Sequence, residues 1–249
     1  MARRGALGLG DERLREVFSF PRFSEGHYRS VQGDLLSIGV EALLSFGEVE
    51  IGGVKVIGKG CTGIVCLGVV RGRKVALKIL RSDSVRNTLE EEGKNLELAN
   101  SFGVGPGVVD FRRNVIAMEF VLGMPLIRWL EGEPRSSKVR AALAEVLKQC
   151  RALDEIGLDH GELSDARKHI LIEGNGRARI IDFESASRTR RCRNLTSVVS
   201  YLFLSGTLSE LLRAHVKWNE ETVRWLMRKY KVAPSESSFR ELISHLKLY

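Results

Sequence analysis

The chain has 249 residues and a formal net charge of +8, which favours an acidic partner such as nucleic acid, a nucleotide or an acidic protein. It lacks the ~18 uninterrupted apolar residues of a membrane span, and no apolar core follows Arg3 and Arg4, so we expect a cytoplasmic protein that does not enter a membrane. Its four cysteines have neither the spacing of a zinc site nor the density of a disulfide-rich scaffold.

Residues 1–50 contain no recognisable motif and are predicted to form an N-terminal extension. Apolar residues recur at helical spacing over Val31–Phe46, which predicts one short amphipathic helix. Packing against the domain that follows is the preferred role of this extension, and partner binding is the alternative.

A glycine-rich pattern follows a predicted strand over Glu48–Gly58. The pattern, G-x-G-x-x-G, consists of Gly58, Gly60 and Gly63. Two runs rich in β-branched residues come next, Ile64–Val70 and Lys74–Leu80, and both indicate strands. A helix would follow the third glycine in a dinucleotide-binding fold, so this pattern points elsewhere. A glycine-rich hairpin followed by Lys78 is typical of the loop that covers phosphates in protein kinases, and a plain hairpin with a solvated lysine is the alternative.

The middle of the chain alternates between helical and strand patterns. Asp83 or Ser84 offers an N-cap for a helix to Asn100, which carries the glutamates Glu90, Glu91 and Glu92. A strand hairpin is predicted over Val108–Phe111 and Val115–Phe120, and a helix is predicted from Ser136 or Ser137 to about Ile156.

The stretch that starts at His160 is rich in polar and ionisable residues. It begins His160-Gly161-Glu162-Leu163-Ser164 and leads into a predicted hairpin whose second strand, Ala178–Ile181, ends in Asp182-Phe183-Glu184. Three closing helices are predicted, over Leu195–Leu212, Glu220–Tyr230 and Ser235–Leu248.

In this order, the glycine pattern, Lys78, the His160 stretch and Asp182 resemble the protein-kinase-like superfamily over about residues 54–200. The His160 stretch corresponds to the catalytic loop of these kinases and is called the catalytic loop here. With no long activation segment, the chain is most similar to the RIO kinases, the small kinase of the KEOPS complex and a related archaeal set. The resemblance implies an α+β, bilobal fold. Residues 51–120 would form an N-lobe with an antiparallel sheet and one helix, and residues 121–249 a reduced, mainly helical C-lobe.

The resemblance also implies a site for ATP and Mg²⁺ between the two lobes. Its nucleotide-binding residues would be Gly58, Gly60, Gly63, Val65, Ala76, Lys78, Glu92, Met118, Glu119 and Val121. Lys78 would contact the phosphates while Glu92, or alternatively Glu91, holds it in place. Asp182 would bind the metal, and Glu162, in place of the family's catalytic aspartate, would orient an acceptor hydroxyl or a water.

The second metal ligand departs from the family pattern. Strict counting puts Arg167 at the position of the metal-binding asparagine, and arginine cannot bind a cation. His169 takes this position if two residues are inserted. Either His169 or Asp165 supplies the second contact, or one metal site is lost.

The implied activity is that of an atypical serine/threonine protein kinase, including transfer to itself. The alternatives are an ATPase that switches an RNA-associated complex and a nucleotide-binding pseudokinase. After Asp182 come Arg188, Arg190, Arg191 and Arg193, which predict a surface for an acidic protein, a phosphorylated residue or RNA. A solvated basic loop is the alternative.

Overall fold

The structure is a computed structural model that describes residues 5–248. The chain divides into two compact units. Unit 1 runs to Glu97 and includes Pro106–Phe120, and unit 2 comprises Leu98–Gly105 and the chain from Val121 onward. Both units combine helices with antiparallel strands, so the predicted α+β class is confirmed.

The elements follow one another in chain order. The first part contains β1 Ala6–Leu7, α1 Leu14–Phe18, α2 Glu25–Ile38, β2 Val40–Leu44, β3 Val49–Ile51, β4 Val54–Val56, β5 Gly58–Lys59, β6 Gly63–Val70, β7 Arg73–Leu80, α3 Glu90–Asn100, β8 Val108–Phe111 and β9 Val115–Glu119. The second part contains β10 Gly123–Pro125, α4 Leu126–Glu131, α5 Ser136–Glu155, β11 Ile170–Glu173, β12 Ala178–Ile180, α6 Asn194–Phe203, α7 Gly206–Leu212, α8 Glu220–Val232 and α9 Glu236–His245.

In the described residues, unit 1 is built on a seven-stranded sheet with the order β1-β2-β6-β7-β9-β8 and with β5 beside β6. Side chains alternate between its two faces. One face, which includes Ile64, Cys66, Leu77 and Ile79, is buried in a core that α1 and α2 complete. The opposite face therefore holds Lys78 and its neighbours.

The N-terminal segment belongs to this core, and the helix predicted over Val31–Phe46 is wrong in its bounds. Helix α2 ends at Ile38, because Gly39 adopts a φ of +83° and accepts the left-handed conformation that stops a helix. Val40–Leu44 then pairs with β6 as a strand. The helical spacing of its apolar residues does not reveal this change.

Two other predicted bounds near the site also change. The strand predicted over Glu48–Gly58 is a hairpin of β3 and β4 followed by the short β5, because Gly52 and Gly53 take positive φ values and turn the chain. The helix predicted from Asp83 starts only at Glu90. Asp83 instead pairs with Arg81 at 2.8 Å.

The apolar segment predicted as one helix over Leu195–Leu212 is two helices, α6 and α7, bent by 74°. No single helix of residues 5–248 is long and apolar enough to cross a membrane. The bent pair of α6 and α7 reaches the length and apolar composition of a membrane span only when both helices are counted as one segment.

In unit 2, α5 supports both the catalytic-loop stretch and the strand that leads to Asp182. Gln149 bonds the backbone of Ala178 and Ile180 at 2.7 and 3.2 Å, which fixes β12 against the helix. At the end of α5, Asp154 accepts hydrogen bonds from Asn194, whose own side-chain oxygen accepts from the His160 amide at 2.8 Å. Burial raises the pKa of Asp154. These bonds hold the stretch from His160 onward in place.

Candidate functional site

A buried ion pair joins Lys78 on β7 to Glu92 in the first turn of α3. The Lys78 Nζ lies 2.8 Å from Glu92 Oε1, and each residue is only 5% exposed. Glu91, the alternative partner, is exposed to solvent. A buried pair gives little net stability because the loss of hydration offsets the attraction between the charges. Its occurrence on a sheet face therefore indicates a function for the lysine.

The glycine-rich loop is closed by a hydrogen bond from the Gly60 amide to the Gly63 carbonyl, 2.8 Å long. At Gly63 a β-carbon would lie 2.9 Å from the Ile79 carbonyl oxygen and 3.1 Å from Lys78 Cγ. Gly58 and Gly60 have no such crowding. Of these three glycines, only Gly63 must lack a side chain, because the strand that carries Lys78 passes so close to it.

Three other predicted nucleotide-binding residues of unit 1, Val65, Ala76 and Met118, share the face of Lys78, whereas Glu119 pairs with Val75 on the opposite face. Val65 pairs directly with Lys78 in the β6–β7 register, and Ala76 pairs with Met118 between β7 and β9. The Glu119 amide donates to the Gly107 carbonyl oxygen at 2.7 Å. Val121 lies beyond the end of unit 1 and is half-buried.

In unit 2, three ionisable side chains meet within 4.8 Å of one another, namely Glu162, His169 and Asp182. The two nitrogens of the His169 ring face different carboxylates. Nε2 is 2.9 Å from Glu162 Oε2, whereas Nδ1 is 4.0 Å from Asp182 Oδ2. Nδ1 is buried and has no hydrogen-bond partner within the described residues.

Asp182 has a backbone conformation that few non-glycine residues adopt. Its φ is +68°, while the side chain stays 39% exposed. Such strained residues cluster at sites of chemistry, where the surrounding structure maintains them. Kinases carry a D-F-G pattern at the position of Asp182-Phe183-Glu184, so Glu184 stands where they have glycine. Glu184 is not among the described residues with positive φ, so its backbone does not need a glycine.

His160 has a structural environment. It is fully buried, its Nε2 lies 3.1 Å from the Ile181 carbonyl oxygen, and its ring packs against those of Phe183 and His169. Burial lowers the pKa of His160 to about 4. The ring is therefore neutral near pH 7 and supports the chain on both sides of Asp182.

With these contacts established, comparison with protein-family models matches the RIO domain to residues 70–195, which is half of the chain. The chain belongs to the RIO family. This is an atypical kinase family of the protein-kinase-like superfamily, so the predicted resemblance is confirmed. The match includes Lys78, Glu92, Glu162, His169 and Asp182.

The RIO chain is also similar to a curated protein, the uncharacterized protein MJ1211 of Methanocaldococcus jannaschii. The two are 26% identical over 117 residues, which make up 46% of this chain and 98% of that protein.

The structure separates the three residues considered for the second metal contact of this RIO domain. Asp165 and Arg167 are exposed and bind each other, with a distance of 2.7 Å from Arg167 Nε to Asp165 Oδ1. His169 lies beside Asp182 instead, because the Ile181 amide donates to the His169 carbonyl oxygen at 2.9 Å. A short 3₁₀ turn at Leu163–Asp165 and the turns that follow it connect Glu162 to His169.

Two residues near the metal-ligand candidates carried no recognisable sequence signal. The Ser185 hydroxyl donates a hydrogen bond to Glu162 Oε1. Asp159 accepts from Arg190 Nε at 2.9 Å and from the Arg193 amide at 3.2 Å, so it ties the arginine-rich stretch to the catalytic loop. Short polar residues are common between motifs, so the spacing of residues along the chain does not single out Ser185 or Asp159.

The predicted arginines do not share one environment. Arg188 is exposed and lines neither of two adjoining cavities of about 470 and 430 Å³. These cavities share Ser164 and Ser197, and together we call them the basic groove. Its basic lining residues are Arg190, Arg191, Arg193, Arg224, Arg228 and Lys231, and Asp159 is its one acidic residue within residues 5–248.

Proposed function

We propose that this RIO protein transfers the γ-phosphoryl group of ATP to a serine or threonine of a protein. The observation that carries the proposal is the buried Lys78–Glu92 ion pair. An ammonium group held in this way can offset charge on the α- and β-phosphates, which is the role of the corresponding pair in kinase-like enzymes. Catalysis of this type depends on positioning and charge stabilisation.

The side chains of Asp182 and His169 fit a divalent cation. The supporting observation is the buried His169 Nδ1, which lacks a hydrogen-bond partner and faces an Asp182 carboxylate oxygen. Glu162 would fix the ring by accepting from the opposite nitrogen, as carboxylates do for metal-binding histidines. When bound, the ion would neutralise negative charge that develops on the phosphates.

The histidine affects which metal this site would prefer. Mg²⁺ favours oxygen ligands and dehydrates reluctantly, whereas a site with a nitrogen ligand binds the first-row transition metals, among which Mn²⁺ is the weakest. We therefore expect His169→Asn to weaken Mn²⁺ binding by roughly tenfold or more relative to Mg²⁺. Competition of Mg²⁺ against Mn²⁺, followed by electron paramagnetic resonance, measures this preference. His245→Asn on α9 should leave it unchanged, and an unaltered preference in His169→Asn would contradict the assignment.

Glu162 is proposed to orient the acceptor hydroxyl. Its two oxygens already accept from Ser185 and His169, but an ionised carboxylate has about four acceptor positions. The side chain is 36% exposed, so an external hydroxyl or a water can reach it. The access of water supports ATP hydrolysis as the second candidate activity.

One experiment tests the proposed function. The purified protein is incubated with γ-labelled ATP and Mg²⁺ or Mn²⁺ beside the Asp182→Asn protein, and both labelled protein and free phosphate are followed. Label on protein in the wild type alone is the expected result. Free phosphate without labelled protein would support the ATPase, and ATP binding with neither signal would support a pseudokinase.

The basic groove is proposed to receive an acidic segment of a partner protein. Arg193, Arg224, Arg228 and Lys231 are exposed and make no ion pair with a carboxylate of the described residues. Tyr201 is the one aromatic residue of its lining in residues 5–248, whereas single-stranded RNA usually stacks on several aromatic side chains. This composition favours an acidic polypeptide over RNA.

Charge reversal tests the groove directly. Arg224→Glu combined with Arg228→Glu should weaken binding of a glutamate-rich peptide by roughly tenfold or more, because attraction is replaced by repulsion. Fluorescence anisotropy at two salt concentrations measures the affinity. Lys148→Glu with Lys217→Glu changes the net charge equally outside the groove and should have little effect. Tighter binding of a single-stranded oligonucleotide of equal charge would favour RNA instead.

We also propose the cytoplasmic location that the sequence predicts. All four cysteines of the protein are free thiols, which is typical of proteins in a reducing compartment.

A further inference from the structure

A hydroxyl group of the chain itself already bonds the carboxylate assigned to the acceptor. Ser185, three residues after Asp182, donates from Oγ to Glu162 Oε1. The other oxygen of Glu162 contacts His169, which lies beside Asp182. The Glu162 carboxylate therefore links the Ser185 hydroxyl to His169, which fits a metal site together with Asp182.

The backbone keeps Ser185 in this position. Gly161 has a φ of +91°, and a β-carbon there would lie 2.7 Å from the Ser185 carbonyl oxygen, so the two loops approach more closely than other residues would permit. The same carbonyl accepts a hydrogen bond from the Arg190 guanidinium, which also pairs with Asp159. The position of Ser185 is thus fixed by contacts with the catalytic loop on one side and Arg190 on the other.

We propose that Ser185 is a phosphoacceptor within the same chain, an inference that rests on the proposed function. Ser185 Oγ would attack the γ-phosphorus of ATP and form a new oxygen–phosphorus bond. The bond from this phosphorus to the oxygen bridging the β- and γ-phosphates would break, and its electron pair would leave with ADP. The hydroxyl proton would pass to Glu162 Oε1.

Arg190 supplies a group that suits the product. Phosphoserine carries nearly two negative charges at pH 7 and binds guanidinium groups strongly. Arg190 already contacts the Ser185 backbone, so the new phosphate would draw it from Asp159. Phosphorylation would then release the Glu162 oxygen that Ser185 occupies, and an external acceptor could use it. We expect the modified protein to phosphorylate added substrates faster than the unmodified protein does.

Site mapping of protein incubated with γ-labelled ATP tests this inference. We expect label at Ser185, none at that position in Ser185→Ala, and phosphothreonine there in Ser185→Thr, which keeps the hydroxyl. Ser209→Ala is the control, because Ser209 Oγ donates to the Gly206 carbonyl oxygen within α7 and contacts neither Glu162 nor Arg190, so its loss should leave labelling unchanged. Labelling per molecule should not depend on protein concentration if the transfer occurs within one chain.

The possible failures differ from one another. Wild-type labelling of Ser185→Ala, or label confined to other residues or to an added protein, would overturn the inference and leave the kinase activity standing. A rate that rises with protein concentration would overturn transfer within one chain. Phosphate release with no labelled protein would overturn both this inference and the kinase proposal.

Discussion

Replacement of Asp182 by asparagine should reduce phosphoryl transfer by roughly 100-fold or more, the scale on which loss of one charge-stabilising group acts. The amide removes the negative charge that would bind the metal but keeps the size of the side chain. Asparagine also tolerates the φ of +68° better than most residues, so the fold should survive. The initial rate of label transfer and the thermal unfolding midpoint measure the two effects separately.

The chain offers a matched control for this substitution. Asp165 belongs to the preceding loop, is exposed and binds Arg167, so Asp165→Asn should leave transfer nearly unchanged. Full activity of Asp182→Asn, or an equal loss in both variants, would contradict the role of Asp182.

A second large effect is expected at the buried pair. Lys78→Met should abolish most transfer and also lower the free energy of unfolding by about 3 kcal/mol, because Glu92 is left buried without its cation. Glu92→Gln should produce the same two losses for the reciprocal reason. The combination of both changes should recover part of the stability, since neither charge of the pair remains in the buried position.

The double variant separates a structural role from a functional one. If the pair served stability alone, the variant that recovers stability would recover transfer as well. We expect it to remain inactive, because no ammonium is left to contact the phosphates. Chemical denaturation and label transfer, measured on the same samples beside the exposed-lysine control Lys74→Met, decide between the two roles.

The sequence predicted those parts of the site that depend on local order along the chain. The glycine pattern, the strand of Lys78 and the strand before Asp182 follow from spacing within one or two elements, and the resemblance to kinases favours Glu92 over Glu91. Spacing does not determine how the residues between Glu162 and Ile170 align with the kinase pattern, because two inserted residues fit at several places in this stretch. The hydrogen bond from the Ile181 amide to the His169 carbonyl oxygen is long-range, so no local pattern reveals it.

Other features depended on packing that no local pattern encodes. The spacing of apolar residues continues past Gly39, and only pairing with β6 shows that Val40–Leu44 is a strand. The bond of Ser185 to Glu162 joins two loops that are 23 residues apart. The roles of all these site residues stay predictions until the variants are measured.

The helices behind the sheet of unit 1 limit how far this protein can be shortened. The RIO match starts at residue 70, yet α1, α2 and β2 precede it and bury Ile64, Leu77 and Ile79. A protein trimmed to the family boundary would also lose the glycine-rich loop and nearly all of β6, so β7 would lack its partner strand and Leu77 and Ile79 would be exposed to water. The boundary of the shared family therefore lies inside unit 1, and the segment without a motif supplies much of the core against which the strand of Lys78 packs.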